Sequence, residues 1–244
     1  MDLWLFADDE IGMHTLTYIM KSFPNDISLV VTMDETSIYD RALSYNLHTV
    51  LYDDLESFLH LSKKNFPDLG MMAWGPKIIT QELIVSARKG FVNTHPSYLP
   101  YNRGKNCNFW ALVEECPFGV SIHSVVAEVD AGSIIAQSPI VYDWTDTGET
   151  LYHKAKAAMI DLIEKTYPIL RELDWYEKKQ NLDDGAFHLA REMEEASRID
   201  LDKTYKARNL LNLLRARTFS GHPACWFEDD DEQYEVRVSI SKKP

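Results

Sequence analysis

The chain has 244 residues, 45% of them hydrophobic, and 25 basic against 38 acidic side chains leave a net charge of −13. That length suits one good-sized α/β domain with a small appendage. The acidic balance disfavours whole-chain binding to nucleic acid, and no run of about 18 apolar residues points to a membrane span.

Residues 3–7 form a short apolar run of strand character, and 13–21 have helical spacing. A strand is expected at 27–32 (ISLVVT), a helix at 37–45, a strand at 48–52 and a helix at 55–64. A strand at 69–73, a helix at 81–88 and a short strand at 91–93 follow. This alternation predicts a Rossmann-like open, mostly parallel α/β sheet. Residues 120–126 and 133–140 read as strands around Glu128-Val-Asp-Ala-Gly132, which carries turn chemistry. A long helix is expected over 147–173, with Thr145 or Asp146 as its cap and Asp146 and Glu149 suiting its N-terminus. Residues 178–184 are polar and read as a connector. The remainder predicts a small C-terminal α+β appendage. It has an amphipathic helix at 204–217 and short strands at 226–227 and 234–240 around an acidic turn, 228–232. The expected division is a main domain over 1–178 and a small subdomain over 185–244.

Several chemistries are set aside. The first strand leads into Asp8-Asp-Glu-Ile-Gly12, where a dinucleotide-binding sheet would carry GxGxxG. Three acids there repel phosphates, and no P-loop occurs. The histidines fall into no metal-ligand spacing, so no metal is expected. Cys107, Cys116 and Cys225 include no CxxC pair, and an odd count makes a poor disulfide framework. They read as free thiols in a reducing compartment, Cys107 as a small buried thiol at a helix start. His153, Lys154 and Lys156 read as a solvated helix face. The N-terminal stretch is too acidic and its apolar run too short for a signal peptide, so a cytoplasmic location is expected.

The segment Phe91-Val-Asn-Thr-His-Pro-Ser-Tyr-Leu-Pro100 is unusual. A short strand ends in Asn93 and His95, and Pro96 and Pro100 then stiffen the following loop. In open α/β sheets ligands gather at the carboxyl ends of strands. The Asp130 turn between two later strands can return a carboxylate to the same rim. Together these offer an amide donor, an imidazole and a carboxylate. His123, in a strand context, reads as a structural hydrogen-bonding residue.

The combination of Asn93-Thr-His-Pro-Ser-Tyr-Leu-Pro, Arg103-Gly, Trp110-Ala-Leu, Val120-Ser-Ile-His and Asp130-Ala-Gly-Ser-Ile-Ile-Ala-Gln closely resembles the formyltransferases that use N10-formyltetrahydrofolate. The resemblance covers at least residues 3–173. It implies a formyl-transferring enzyme with Asn93, His95 and Asp130 as the catalytic Asn, His and Asp. An amine attacks the formyl carbon, Asn93 and protonated His95 donate to the oxyanion, and Asp130 orients the imidazole and receives a proton. Whether His95 or Asp130 is the base stays open. The resemblance also implies a pterin pocket built largely from backbone around Trp74, Pro76 and Ile78 and around Val125, Val126 and Glu128.

The strongly acidic charge argues against a methionyl-tRNA formyltransferase, which would carry a basic C-terminal domain. The tail, with Leu214-Arg-Ala-Arg-Thr-Phe219, resembles that of sugar-nucleotide N-formyltransferases, which serve lipopolysaccharide O-antigens and related surface glycans. The acceptor implied is a nucleotide-linked amino sugar, such as a dTDP-4-amino-4,6-dideoxyhexose. A diphosphate needs cations and a base needs an aromatic surface. Lys77, Tyr98, Arg103 and Lys105 are the candidates, with Trp110 a further aromatic and Lys77 and Arg103 preferred. A homodimer is expected. The alternatives are a tRNA-formylating enzyme and a non-catalytic folate- or nucleotide-binding module.

Overall fold

A computed structural model describes residues 1–55, 66–74 and 79–243. In chain order the described strands are β1 (Leu3–Ala7), β2 (Ile27–Thr32), β3 (Thr49–Leu51), β4 (Leu69–Ala73), β5 (Phe91–His95), β6 (Arg103–Gly104), β7 (Phe118–Ser124), β8 (Ile134–Ile140), β9 (Phe187–His188), β10 (Cys225–Asp229) and β11 (Glu232–Val236). The helices are α1 (Asp9–Ser22), α2 (Ser37–Ser44), α3 (Gln81–Ser86), α4 (Cys107–Glu114), α5 (Gly148–Arg171), α6 (Ala190–Ser197) and α7 (Ala207–Ala216). Seven strands form one sheet in the order β3-β2-β1-β4-β5-β7-β8. The first five run parallel and β7 runs antiparallel to β5. This is the open, mostly parallel α/β architecture that the alternation predicts. The helix expected at 55–64 lies, apart from its first residue, outside the described residues.

By contacts the chain groups into two units. One comprises Met1–His95, Ser121–Gln137 and Met159–Gln180. The other comprises Pro96–Val120, Ser138–Ala158 and Asn181–Pro244.

The first unit is organised by strand alternation. Trp4 and Phe6 of β1 share a buried cluster with Leu29, Val31, Met72 and Phe91, and Leu83 and Ile84 of α3 cover it. Leu3 and Leu5 are also fully buried, so this central strand loses water on both faces. α1 starts four residues before the helical spacing suggests. Asp8 is its N-cap and accepts from the Asp9 N–H at 3.0 Å, with Asp9 and Glu10 in the first turn. Gly12 is needed for packing, because a Cβ there would come within 2.8 Å of the Ala7 backbone. The acidic loop that excludes a dinucleotide fingerprint is therefore a helix cap.

Asp26, the residue just before β2, is 3% exposed and ties down the end of α5. It accepts from the Tyr167 hydroxyl at 3.0 Å and from Arg171 Nη2 at 3.1 Å. Burial and the Asp26 carboxylate push the Tyr167 phenol far above its ordinary value, so it stays a donor. Asp26→Ala strands a buried hydroxyl and is expected to cost about 3–5 kcal/mol of stability. Urea unfolding monitored by circular dichroism measures it, and a loss below about 1 kcal/mol would contradict the role.

In the second unit α4 packs against α7. The cap of α5 is Thr147, which corrects the expectation of Thr145 or Asp146. Thr147 Oγ1 accepts from the Thr150 N–H at 3.3 Å while Thr150 Oγ1 accepts from the Thr147 N–H at 2.9 Å. This is a reciprocal cap. Asp146 is instead buried, held by Lys154 and by the Asp143 N–H at 2.8 Å. Lys154 is thus an ion-pair partner rather than a purely solvated cation. The last hairpin turns on Asp230 and Asp231 alone, both with positive φ (47° and 62°), narrower than the acidic turn expected over 228–232. β9 and α6 have no counterpart among the predicted elements. His188 on β9 stacks on Trp110 at 3.8 Å and pairs with Glu114 (2.9 Å) and Glu192 (3.1 Å).

The three cysteines are free thiols. Burial pushes the Cys225 thiol up to about 12 and the Cys116 thiol up to about 11. A raised folded-state value stabilises below the unfolded thiol value, about 8.5, and that contribution is lost as pH rises towards the folded value. Stability is therefore expected to hold steady up to about pH 8.5 and to fall above it. A Cys225→Ala variant should lose part of this alkaline slope in pH-dependent denaturant unfolding; an unaltered slope would count against the explanation.

Candidate active site

β5 runs Phe91–His95, two residues longer than the expected span 91–93, so His95 is the last residue of the strand and the proline loop starts directly after it. Asn93 and His95 are two apart on this strand, which turns both side chains to one face. In the antiparallel ladder Asn93 stands opposite His123 of β7, and His95 opposite Ser121. Cross-strand partners share a face, so register alone brings His123 beside Asn93. Among the described residues, His95 and His123 are 4% and 2% exposed, and their rings stand 6.2 Å apart at 88°.

Asp130 arrives from the other side of a tight turn. The Ala131 N–H donates to Glu128 O at 3.3 Å, and Asp130 itself has φ 51°, a left-handed conformation that Asp tolerates better than most residues. Gly132 follows because a Cβ there would lie 1.7 Å from Ser124 O. The turn closes onto the end of β7 through Ser124 N–H to Ser133 O at 2.9 Å.

The three side chains converge. Asp130 Oδ2 is 3.4 Å from His95 Nδ1. Asp130 Oδ1 is 3.4 Å from Asn93 Nδ2 and 3.5 Å from His123 Nε2. His123 Nδ1 lies 2.9 Å from Ser124 O, and a carbonyl only accepts, so Nδ1 carries a proton. The neutral ring then presents its Nε2 lone pair to Asn93 Nδ2 at 3.5 Å, and protonation turns that edge into an ion pair with Asp130. Contacts of 3.4–3.5 Å are long for hydrogen bonds and readily exchanged. Catalytic contacts often tighten only around a bound ligand. Asn93 Oδ1 is buried without a hydrogen-bond partner among the described residues, an orphaned acceptor beside the cluster. The arrangement can orient an imidazole, donate from an amide and hold a proton on a carboxylate.

The remaining candidates are distributed unevenly. Trp74, with φ 54°, donates its N–H to Thr94 Oγ1 at 2.9 Å, and that hydroxyl donates to Met72 O at 3.2 Å. Thr94 therefore links the carboxyl ends of β4 and β5, a role the sequence reading misses. Val125 is pinned to β5 by its N–H to Phe91 O at 2.7 Å and packs on the core cluster. Val126 and Glu128 are exposed. Pro76, Lys77 and Ile78 lie outside the described residues. Tyr98, Arg103 and Lys105 belong to the second unit, where Tyr98 is half-buried, Arg103 buried and Lys105 exposed. Among the described residues no group of three or more His, Cys, Asp or Glu side chains is placed to hold a metal. No described helix is long and apolar enough to cross a membrane.

Residues 52–165 match the family described as formyl transferase, and 192–242 match the N-formyltransferase dimerization C-terminal domain. The chain is 27% identical over 236 residues to the bifunctional polymyxin resistance protein ArnA of Wigglesworthia glossinidia brevipalpis, covering 89% of this chain and 35% of that protein. It is 29% identical over 138 residues to the dTDP-4-amino-4,6-dideoxyglucose formyltransferase of Mycobacterium bovis, covering 57% of this chain and 58% of the relative. The aligned stretches thus span about a third and somewhat over half of these relatives. Among solved structures, a 4-N formyltransferase from Francisella tularensis superposes with a TM-score of 0.84 at 22% identity, covering 99% of this chain and 98% of that one. An N-formyltransferase from Helicobacter canadensis, in complex with folinic acid and dTDP-3-aminofucose, gives 0.73 at 17% identity, covering 95% and 85%. These likenesses establish the fold, and residues 52–165 and 192–242 are similar to the formyl transferase family and to the N-formyltransferase dimerization C-terminal domain.

Proposed function

We propose that this protein transfers a formyl group from N10-formyltetrahydrofolate to the amino group of a nucleotide-linked amino sugar, with a dTDP-4-amino-4,6-dideoxyhexose as the acceptor. The observation that carries the reading is the convergence of Asn93, His95 and Asp130 at the carboxyl end of β5, within 3.4 Å of one another through the Asp130 carboxylate. The named relatives and the ligands of the Helicobacter canadensis structure support the donor and acceptor classes.

The residues divide the work by chemistry. Asn93 turns an N–H from Asp130 to the oxyanion that develops as the amine adds to the formyl carbon. His95, held through Nδ1, presents its Nε2 edge to the same centre. Asp130 steadies the imidazole and takes up the proton that the amine sheds; the tetrahedral adduct then collapses to the formamide as its bond to the folate nitrogen breaks and that nitrogen takes the proton back, leaving tetrahydrofolate. Orphaned Asn93 Oδ1 fits this reading, because rotation of the amide towards a ligand satisfies both of its ends. Trp74, Pro76, Ile78, Val125, Val126 and Glu128 are assigned to the folate, and Lys77, Tyr98, Arg103 and Lys105 to the sugar nucleotide. Residues 1–178 carry the chemistry, and 185–244 form an appendage through which two copies pair, in keeping with the dimerization family matched at 192–242. We place the enzyme in the cytoplasm, in surface-glycan synthesis.

The test supplies the folate donor with a panel of dTDP- and UDP-amino sugars and with methionyl-tRNA. Formamide formation on a sugar nucleotide supports the proposal. Formylation of the tRNA alone, or of nothing, contradicts it.

A further inference from the structure

The turn that carries Asp130 is held from a segment that reads in the sequence as a polar connector. Lys178 pairs with Ile134 through two backbone hydrogen bonds of 2.8 Å, one in each direction, and so lays the connector along the start of β8. Two residues on, Gln180 Nε2 donates to Asp130 O at 2.8 Å and to Gly132 O at 2.6 Å. One amide nitrogen thus grips both carbonyls that flank Ala131, directly after the left-handed bend at Asp130. Two acceptors on the nitrogen fix the amide's orientation, because the flipped form would set Oε1 against two carbonyl oxygens. In the observed form Oε1 is buried without a partner among the described residues. An amide that gives up its own acceptor to hold a turn is costly unless the turn's position matters.

We infer that Gln180 is a positioning residue for Asp130, acting through the turn's backbone and not on any reactant. The inference rests on the formyl-transfer reading for its consequence in rate. Its structural content, that the Gln180 amide sets where the Asp130 carboxylate meets His95 and His123, stands apart from that reading. A small displacement of a reacting group can cost about a hundredfold in rate. The carboxylate's contacts are already at 3.4–3.5 Å, so a loosened turn breaks them.

The variant is Gln180→Met, which keeps length and packing, removes both hydrogen bonds and removes the orphaned oxygen. The Lys178–Ile134 pairing is backbone only and survives it. A purely structural glutamine predicts an unchanged kcat per folded molecule. The positioning role predicts a kcat lowered about ten- to a hundredfold with unchanged KM for donor and acceptor and an unchanged melting temperature. It also predicts altered 15N resonances of the His95 and His123 rings in the variant. Ring signals that match the unaltered protein, or a kcat loss matched by unfolding, overturn the inference. The ring spectra need no substrate, so if the unaltered protein transfers no formyl group, the functional reading fails while the NMR comparison still decides the role of Gln180.

Discussion

Asp130→Asn is expected to lower kcat for formyl transfer by about a thousandfold while leaving the melting temperature unchanged. The substitution keeps the shape, and Asn tolerates the left-handed φ at this turn as well as Asp does. The loss is in the hydrogen-bond count. The carboxylate accepts on both sides, from His95 Nδ1 through Oδ2 and from Asn93 Nδ2 through Oδ1. An amide has one acceptor oxygen. If it keeps His95, its NH2 faces the NH2 of Asn93; if it keeps Asn93, its NH2 faces the protonated Nδ1 of His95. Either orientation sets donor against donor, and neither supplies a base. Steady-state kinetics and thermal denaturation check both halves. A rate within about tenfold of the unaltered protein, on the scale of general acid–base effects, would remove Asp130 from the chemistry.

For Asn93→Ala the expected loss is about a hundred- to a thousandfold in kcat, the usual worth of one preorganised oxyanion donor. The structure sharpens how this should look. Asn93 Nδ2 faces Asp130 and His123 at 3.4 and 3.5 Å, so its N–H groups serve the neighbouring side chains before they serve a reactant. A donor recruited only as charge develops lowers kcat and kcat/KM together, with little change in KM. A rise in KM at constant kcat would instead make Asn93 a binding residue. Removing the amide takes away the orphaned Oδ1 but also a donor to the Asp130 carboxylate, so stability is expected to fall by no more than about 1–3 kcal/mol.

Much of this was legible in the chain, for identifiable reasons. β2 and β4 match the expected residues because a continuous apolar run bounded by turn residues leaves little choice. Asn93 and His95 stood out through the prolines that follow them, and Asp130 through its Gly-containing turn. Local signals do not fix the end of β5, because Asn is a weak strand former and Pro96 follows His95 directly; pairing with Ser121 and Ile122 of β7 decides it, a contact some 27 residues away in sequence. His123 read as structural, yet cross-strand register sets its Nε2 against the Asp130 carboxylate, and periodicity within one strand cannot reveal that. Gln180 and Thr94 carried no signal at all. Each acts on backbone carbonyls far along the chain, and a polar residue in a polar stretch looks the same whether or not it holds a turn. The cap of α5 went to Thr147 because the reciprocal bond with Thr150 needs a three-residue spacing that Thr145 and Asp146 lack.

The cluster at the carboxyl end of β5 is proposed to move a formyl carbon from folate nitrogen to sugar nitrogen. The direct measurement follows a 13C label in the formyl group of N10-formyltetrahydrofolate by NMR, with a dTDP-4-amino-4,6-dideoxyhexose present and Asp130→Asn as the comparison. The label is expected to leave the folate and to appear as a formamide on the sugar nucleotide, with the variant slowed to near background. Label recovered as free formate, or retained on the folate while the protein is folded, would contradict the proposal.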